Sequence, residues 1–236
     1  MSVGLVVLDQ VLFHVGLTGS YGELLYSYVD VTRESNVPAF WNAALLLLVS
    51  AAAVLVAYLT PGPAVGWWIA AALAFVMSLD ETVQLHERLI GLGRWVQDAV
   101  GTSIPTFGWL IPGVLIAIAG ATTLWIWSAR RPPATRRALR VAVVVYGSGA
   151  IVVEAVGGAV YRSWGAGAGY RAITGLEELL EMSGAALAVV AVLAMMRVRH
   201  SSDHATALSI VADDERPRSA ANAGTPSPEP TMNTAG

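Results

Sequence analysis

An apolar run that passes without a turn residue into a cluster of ionisable residues constrains the fold of this chain most. Residues 67–77 are apolar, and residues 78–89 follow directly and contain Asp80 and Glu81. A helix needs about 20 residues to cross a hydrocarbon core of about 30 Å, so the apolar run alone is too short. We therefore predict that the helix carries Asp80 and Glu81 into the bilayer. Ionisable groups at that depth face the protein interior or a water-filled cavity, and we look for function around them.

The composition is that of an integral membrane protein. Hydrophobic residues make up 55% of the chain and charged residues only 13%, whereas a soluble domain is usually about 25% charged. Several apolar stretches approach bilayer length, so we predict an all-α, polytopic transmembrane helix bundle. The chain has no cysteine, which excludes disulfides, thiolate metal sites and cysteine nucleophiles. We expect the lipid bilayer as a partner, no nucleic acid, and no removable signal peptide.

Apolar runs bounded by turn residues predict five spanning helices and an N-terminal sixth. The five runs are about residues 39–59, 66–90, 107–128, 140–161 and 175–196. Residues 3–17 are apolar but short; they fit a spanning helix, a helix lying in the interface or the remainder of a longer helix, and we favour a spanning helix. Residues 91–106 are predicted to form a loop. We assign residues 1–200 to the transmembrane domain and residues 201–236 to a disordered polar tail.

Arginine placement predicts the orientation in the cell membrane. Residues 128–140 form a short loop with five arginines, and such loops stay on the cytoplasmic side. Counting helices from this loop puts the C-terminal tail in the cytoplasm as well. The acidic stretch at residues 78–89 then lies near the outer face.

Three carboxylates on three predicted helices fall at one depth. With a rise of about 1.5 Å per residue, Asp80, Glu154 and Glu181 lie about 20 to 24 Å from the cytoplasmic ends of their helices. We therefore predict a polar site that opens to the outer face. Its candidate residues are Asp80, Glu81, Gln84, His86, Glu87, Glu154, Glu177, Glu178 and Glu181, with Arg88, Arg162 and Arg171 as candidate partners of the acids.

Helical phase divides the polar residues of the second span into stripes. At about 100° per residue, Asp80, Gln84 and Glu87 share one stripe. Glu81 lies on a neighbouring stripe, and His86 points elsewhere. Structural roles also fit these residues. Asp80 and Glu81 could pair with the nearby arginines. His86 could be a hydrogen-bonded interfacial histidine, and Glu87 could lie at the water surface.

The fourth and fifth spans place their acids next to small residues. Glu154 lies in line with Gly157 and Gly158, and small residues of this kind let helix backbones approach closely. We therefore expect Glu154 to face a neighbouring helix. Residues 174–177 match a capping box, which gives Glu177 a purely structural alternative in a first helical turn.

The candidate site holds seven carboxylates and one histidine, a ratio that suits hard divalent cations such as Ca²⁺, Mg²⁺ or Mn²⁺ more than zinc. Asp80, Glu154 and Glu181 are the candidate metal ligands. Closely packed carboxylates also share or relay protons. Three hypotheses follow: cation- or proton-coupled transport or sensing, a membrane-embedded metal-dependent enzyme with His86 as proton shuttle, and a structural or partner-binding subunit. The first is preferred, and the sequence names no substrate, cofactor or protein partner.

Three segments resemble those of a family of bacterial multi-pass membrane proteins that has no assigned activity. They are residues 32–41, the pair of motifs at 79–81 and 85–87, and the pair at 176–178 and 181–184. The resemblance covers most of the membrane region, and it implies a membrane protein with an acidic site. Members of that family usually start with a full spanning helix, whereas residues 3–17 are shorter.

Overall fold

Helices form most of the chain in the computed structural model, which describes residues 1–16, 19–33, 36–200 and 206–210. The α-helices are α1 (Ser2–Val15), α2 (Ser20–Ser27), α3 (Val37–Leu59), α4 (Val65–Val83), α5 (Ile90–Val100), α6 (Leu110–Ser128), α7 (Pro133–Gly147), α8 (Glu154–Trp164) and α9 (Ala168–Leu193). A 3₁₀ turn (Glu87–Leu89) precedes α5, and a π-helical segment (Ser148–Val153) joins α7 to α8. Two strands, β1 (Met196–His200) and β2 (Thr206–Ile210), form an antiparallel hairpin.

Four helices of the described chain are long and apolar enough to cross a membrane. They are α3, α4, α6 and the continuous 32-residue run Pro133–Trp164 that α7, the π-helical segment and α8 make together. The prediction of five or six spans is not confirmed. The 14-residue helix α1 is apolar but shorter than a span, and the 26-residue helix α9 carries Glu177, Glu178 and Glu181 within its apolar part.

Helix α9 lies at the centre of the bundle. It packs against α1, α3, α7, α8 and the π-helical segment. Met182 is fully buried in a cluster with Leu5 of α1 and with Leu45 and Leu46 of α3. Because neighbouring helices surround α9, its acidic residues need not face lipid.

Polar contacts between α3 and α4 hold the first long hairpin together. The Ser50 hydroxyl donates to the Ala71 carbonyl at 2.9 Å, and the Ser78 hydroxyl donates to the Ala43 carbonyl at 2.8 Å. The Asn36 side chain accepts a hydrogen bond from the Ala39 amide at 2.9 Å and caps α3. Pro38 lies in the first turn of α3, where the missing backbone donor costs nothing.

The predicted second span is wrong at its C-terminal end. Helix α4 stops at Val83 because Gln84 takes a left-handed conformation (φ 55°, ψ 50°), and the Gln84 amide donates to the Asp80 carbonyl at 2.8 Å. Residues 84–90 therefore do not continue the helix. The predicted loop 91–106 is also wrong in part, since it begins with most of α5, which ends at the left-handed Gly101.

Two further boundaries differ from the prediction. The predicted arginine loop at 128–140 is mostly helical, because α7 begins at Pro133, a residue that suits a first helical turn. Helix α9 ends at Leu193, a few residues before the predicted end of the fifth span, and part of the predicted tail forms β2. Residues 201–205 and 211–236 of the predicted disordered tail lie outside the described residues.

Candidate functional site

Five glutamates from three helices meet inside the bundle and form what we call the acidic cluster. Its members are Glu81 of α4, Glu154 of α8, and Glu177, Glu178 and Glu181 of α9. Glu181 is only 8% exposed, and the other four carboxylates are near enough to repel its charge. Ionised groups of like sign disfavour one another at this separation, and burial adds to that cost.

Asn42 is the polar contact of Glu181. The Asn42 Nδ2 atom donates to Glu181 Oε2 at 3.1 Å, and the Asn42 side chain is fully buried. Asn42 Oδ1 accepts no hydrogen bond from any residue that the structure describes. A buried acceptor without a donor is costly, so this oxygen is available to a proton donor or a cation beside Glu181.

Tyr146 links α7 to both acidic helices. Its hydroxyl donates to Glu81 Oε1 at 3.0 Å, and Asp80 and Glu181 lie within electrostatic range of it. Gly184 makes this approach of α7 to α9 possible, because a Cβ atom at Gly184 would lie 2.6 Å from the Tyr146 backbone nitrogen. The phenol is therefore a hydrogen-bonding group between two parts of the cluster.

The π-helical segment lies directly against the acids of α9. A Cβ atom at Gly149 would lie 2.9 Å from both the Glu177 carbonyl oxygen and Glu181 Cγ. Single turns of π-helix occur often at functional sites, since they redirect the side chains that follow. Here the segment ends where Glu154 begins α8.

Asp80 and His86 form a pair at the end of α4. Asp80 Oδ1 accepts from the His86 backbone amide at 2.7 Å, and His86 Nδ1 lies 3.0 Å from Asp80 Oδ2. The side chains are 25% exposed for His86 and 32% exposed for Asp80. The prediction that His86 points away from Asp80 is wrong, because the left-handed turn at Gln84 folds the chain back over the helix end.

Trp109 connects this pair to the acidic cluster. The His86 and Trp109 rings lie 4.6 Å apart between centroids, and Trp109 Nε1 donates to Glu154 Oε1 at 3.1 Å. Trp109 is only 8% exposed. His86 and Glu154 therefore both contact one indole ring, at the border of the cluster.

Arg171 makes its ion pairs away from the predicted acids. Its Nη1 atom lies 3.1 Å from Asp9 Oδ1 and 2.7 Å from Asp30 Oδ1, and its guanidinium lies over the rings of Phe13 and Tyr26 at 4.5 and 5.3 Å. The prediction that Arg171 pairs with Asp80 or Glu81 is therefore wrong. We call Arg171, Asp9 and Asp30 the arginine lock, which joins α9 to α1 and to the turn after α2.

Asp30 of the arginine lock lies in the connection between α2 and α3. Burial raises its pKa, but hydrogen bonds from Arg171 and Thr32 outweigh that effect and hold the pKa below the ordinary value of 3.8. Asp30 is therefore a charged partner of Arg171 at neutral pH.

The remaining predicted residues lie outside the cluster. Gln84 caps α4 and Glu87 and Arg88 are exposed in the 3₁₀ turn. The exposed Arg162 donates to the Ile104 carbonyl. The capping box at residues 174–177 is also wrong, because α9 begins six residues earlier at Ala168 and the Thr174 hydroxyl donates to the Tyr170 carbonyl at 3.2 Å.

The proposed metal ligands have different neighbours. Asp80 pairs with His86, Glu154 accepts from Trp109, and Glu181 accepts from Asn42. Within the described ranges no three His, Asp or Glu side chains are arranged to hold one metal ion. The residues therefore do not fit a divalent-cation site of that kind in this conformation.

Sequence reasoning missed three contacts of the acids: Asn42, Tyr146 and Trp109. Asn42 could have been found, because it is an amide inside an otherwise apolar predicted span. Trp109 fits an aromatic belt residue equally well, and only the packing of α6 against its neighbours shows its acid partner. The contact of Tyr146 with Glu81 depends on the rotation of α7 against α9. The close contact at Gly184 sets that rotation, which the sequence alone does not indicate.

Comparison with known protein families matches residues 1–196 to a family described as a domain of unknown function (DUF8692). No curated protein and no solved structure matches the chain at a significant level. The family match covers the helical bundle and assigns no activity to it.

Proposed function

We propose that this chain, which belongs to the domain-of-unknown-function family DUF8692, is a multi-pass membrane protein that binds protons at its acidic cluster and uses them in transport or sensing. Proton binding is favoured by one observation: buried Glu181 shares its surroundings with four other glutamates. Like charges in a poorly solvated site cannot all be ionised together. At least one member of the cluster therefore holds a proton.

The groups around the cluster are suited to a site whose charge changes. Asn42 and Tyr146 contact Glu181 and Glu81 as neutral donors, and each can also accept a hydrogen bond. A rotated Asn42 amide would present Oδ1 to a protonated Glu181. These two neutral neighbours can therefore accommodate either protonation state of the carboxyl group that each contacts.

The Asp80–His86 pair is our proposed point of entry. An imidazole titrates near neutral pH, and this one is partly exposed at the end of α4, next to Asp80. Asp80 lies within electrostatic range of Tyr146, which bonds to Glu81. Protons would pass from water to His86 and Asp80, and from there to the cluster through Tyr146 and ordered water.

We also propose that α9 is a fifth membrane-crossing helix. Its 26 residues extend about 39 Å, which exceeds a hydrocarbon core of about 30 Å. Its contacts with α3 and α7 shield Glu181 from lipid, so its acidic residues do not prevent insertion. The arginines at the α6–α7 junction would face the cytoplasm together with the C-terminal tail, and the acidic cluster would lie in the outer half of the cell membrane.

Proton flux into liposomes tests the proposal. The full chain is reconstituted with a trapped pH-sensitive dye, and a potassium-diffusion potential drives protons inward. We expect the wild-type protein to acidify the lumen and Glu181→Gln to abolish that flux, because the amide cannot carry the proton. Glu87→Gln is the matched control, since it makes the same substitution at an exposed position. Wild-type flux with full activity in Glu181→Gln would contradict a role for the cluster.

A membrane-embedded enzyme is a second candidate, favoured by the Asp80–His86 contact. A carboxylate that orients an imidazole is a common arrangement for general acid–base catalysis, and the pair is accessible from one end of the bundle. The same liposomes distinguish the two roles. Protons that reach the lumen indicate transport, whereas reversible proton uptake from one side without flux indicates a blind site, as in a sensor or an enzyme.

A further inference from the structure

At the opposite end of the bundle from the acidic cluster, an apolar cleft runs between α6 and α7. Leu124, Leu139 and Val143 line it, and Trp125 and Arg140 border it. Trp125 is 43% exposed, so the cleft opens on the outside of the bundle. On membrane-crossing helices, that outside is the hydrocarbon of the bilayer.

Arg140 is held in place at the border of this cleft. Its Nε atom donates to the Ser128 hydroxyl at 3.2 Å, its Nη2 atom donates to the Trp125 carbonyl at 3.3 Å, and its guanidinium lies 4.4 Å over the Trp125 ring. Among the residues that the structure describes, none accepts a hydrogen bond from Arg140 Nη1. A guanidinium fixed in this way is suited to donate a charge-assisted hydrogen bond from Nη1 to a phosphate.

The charge around Arg140 is strongly positive. Arg130, Arg131, Arg136 and Arg137 lie within ten residues of it, and the sequence contains no acidic residue between Asp98 and Glu154. The first turn of α7 accordingly has no acid. The segment between Asp98 and Glu154 therefore contains no acidic residue that could balance the charge of these five arginines.

We propose that the α6–α7 cleft binds an anionic phospholipid, with its phosphate at Arg140 and the neighbouring Arg136 and with one acyl chain along Leu124, Leu139 and Val143. Basic pockets between membrane helices recognise anionic headgroups in this way. The apolar cleft favours a lipid over free phosphate, because free phosphate would leave it empty. If these arginines only set the orientation of the protein in the membrane, neither the apolar cleft nor the fixed Arg140 guanidinium would be needed.

Native mass spectrometry of the full chain in detergent tests this proposal without dependence on membrane orientation. The protein is mixed with equal amounts of phosphatidylglycerol and phosphatidylcholine of the same chain length. We expect the wild-type protein to retain phosphatidylglycerol with a preference of at least about fivefold, the contribution expected for one arginine near an anionic headgroup. Equal retention of the two lipids would overturn the proposal.

Three variants assign the preference to the cleft. Arg140→Gln should reduce it about fivefold, because it removes one positive charge. Arg140→Lys should also reduce it, because lysine keeps the charge but loses the planar contacts to Ser128, Trp125 and the phosphate. Val143→Trp should reduce it by filling the cleft. Arg94→Gln, an exposed arginine on α5, is the charge-matched control and should leave it unchanged. Each variant is first checked for wild-type helix content.

Two results would contradict the assignment to a lipid held at Arg140. If Arg140→Lys kept the full preference for phosphatidylglycerol, general electrostatic attraction would account for that preference. Complete displacement of phosphatidylglycerol by millimolar inorganic phosphate would show that the headgroup alone is bound and that the apolar cleft contributes nothing.

Discussion

Asn42 and Glu181 illustrate how a single contact can serve two charge states. The amide donates to the carboxylate while its own oxygen accepts no hydrogen bond from the described residues. An ionised Glu181 uses the Nδ2 donor, and a protonated Glu181 can donate to Oδ1 once the amide turns. A structural ion pair would instead present a fixed positive group to the carboxylate.

Glu181→Gln should therefore change the free energy of unfolding by less than about 1 kcal/mol, because the new amide keeps the shape and can donate to Asn42 Oδ1. Glu181→Ala should cost about 2 kcal/mol or more, since it leaves a cavity in a buried position. Chemical denaturation in detergent measures both. A loss of about 3 to 5 kcal/mol in Glu181→Gln would indicate a broken buried ion pair and favour a structural role.

Asp30 gives a residue-scale prediction of the opposite kind, since it lies outside the long helices and pairs with Arg171. Its pKa is lowered in the folded protein, so its stabilising contribution is present above the ordinary pKa and is lost as pH falls through the folded value. We expect the wild-type protein to lose stability below about pH 4 more steeply than Asp30→Asn does. Thermal unfolding from pH 7 to pH 3 measures the difference, and parallel curves would refute the pairing.

At the scale of helices, the sequence predicted which segments are helical better than it predicted where each helix begins and ends. Helices α3 and α6 lie within a few residues of the predicted spans, because long apolar runs bounded by proline are strong signals. The end of α4 was missed, since Gln84 is not a residue that usually marks a left-handed turn. The start of α7 could have been found from Pro133, whereas no sequence pattern indicates the π-helical segment.

The close packing at Gly184 involves two helices, α7 and α9, and a substitution at Gly184 tests it. A Cβ atom there would lie 2.6 Å from the backbone of Tyr146, so Gly184→Ala should push α7 from α9 and loosen the Tyr146–Glu81 contact. We expect a loss of about 1 to 3 kcal/mol of unfolding free energy together with reduced proton flux.

Gly120→Ala is the matched control for that substitution. Gly120 lies inside α6 with no atom near its missing Cβ, and alanine favours the helix by about 1 kcal/mol. This control should be neutral or stabilising. Gly184→Ala with equal stability and flux would show that α7 and α9 pack less tightly than the structure has them.

At the scale of the whole molecule, charge is divided between the two ends of the bundle. The acidic cluster lies toward the N-terminal half of α9, and the arginines lie at the junction of α6 and α7. Counting residues along helices predicted that Glu154 and Glu181 share a depth, because rise per residue is constant. Counting residues could not predict which acids pair with Arg171. Arg171 pairs with Asp9 and Asp30 because α1 packs against α9 and the turn after α2 reaches the Arg171 side chain.

Infrared spectroscopy of the reconstituted protein tests most directly whether the buried glutamates hold a proton. A protonated carboxyl group absorbs at a frequency well separated from that of a carboxylate, and the band shifts in heavy water. We expect a protonated-carboxyl band at neutral pH that weakens in Glu181→Gln and is unchanged in Glu87→Gln. A wild-type spectrum with only ionised carboxylates at neutral pH would contradict it.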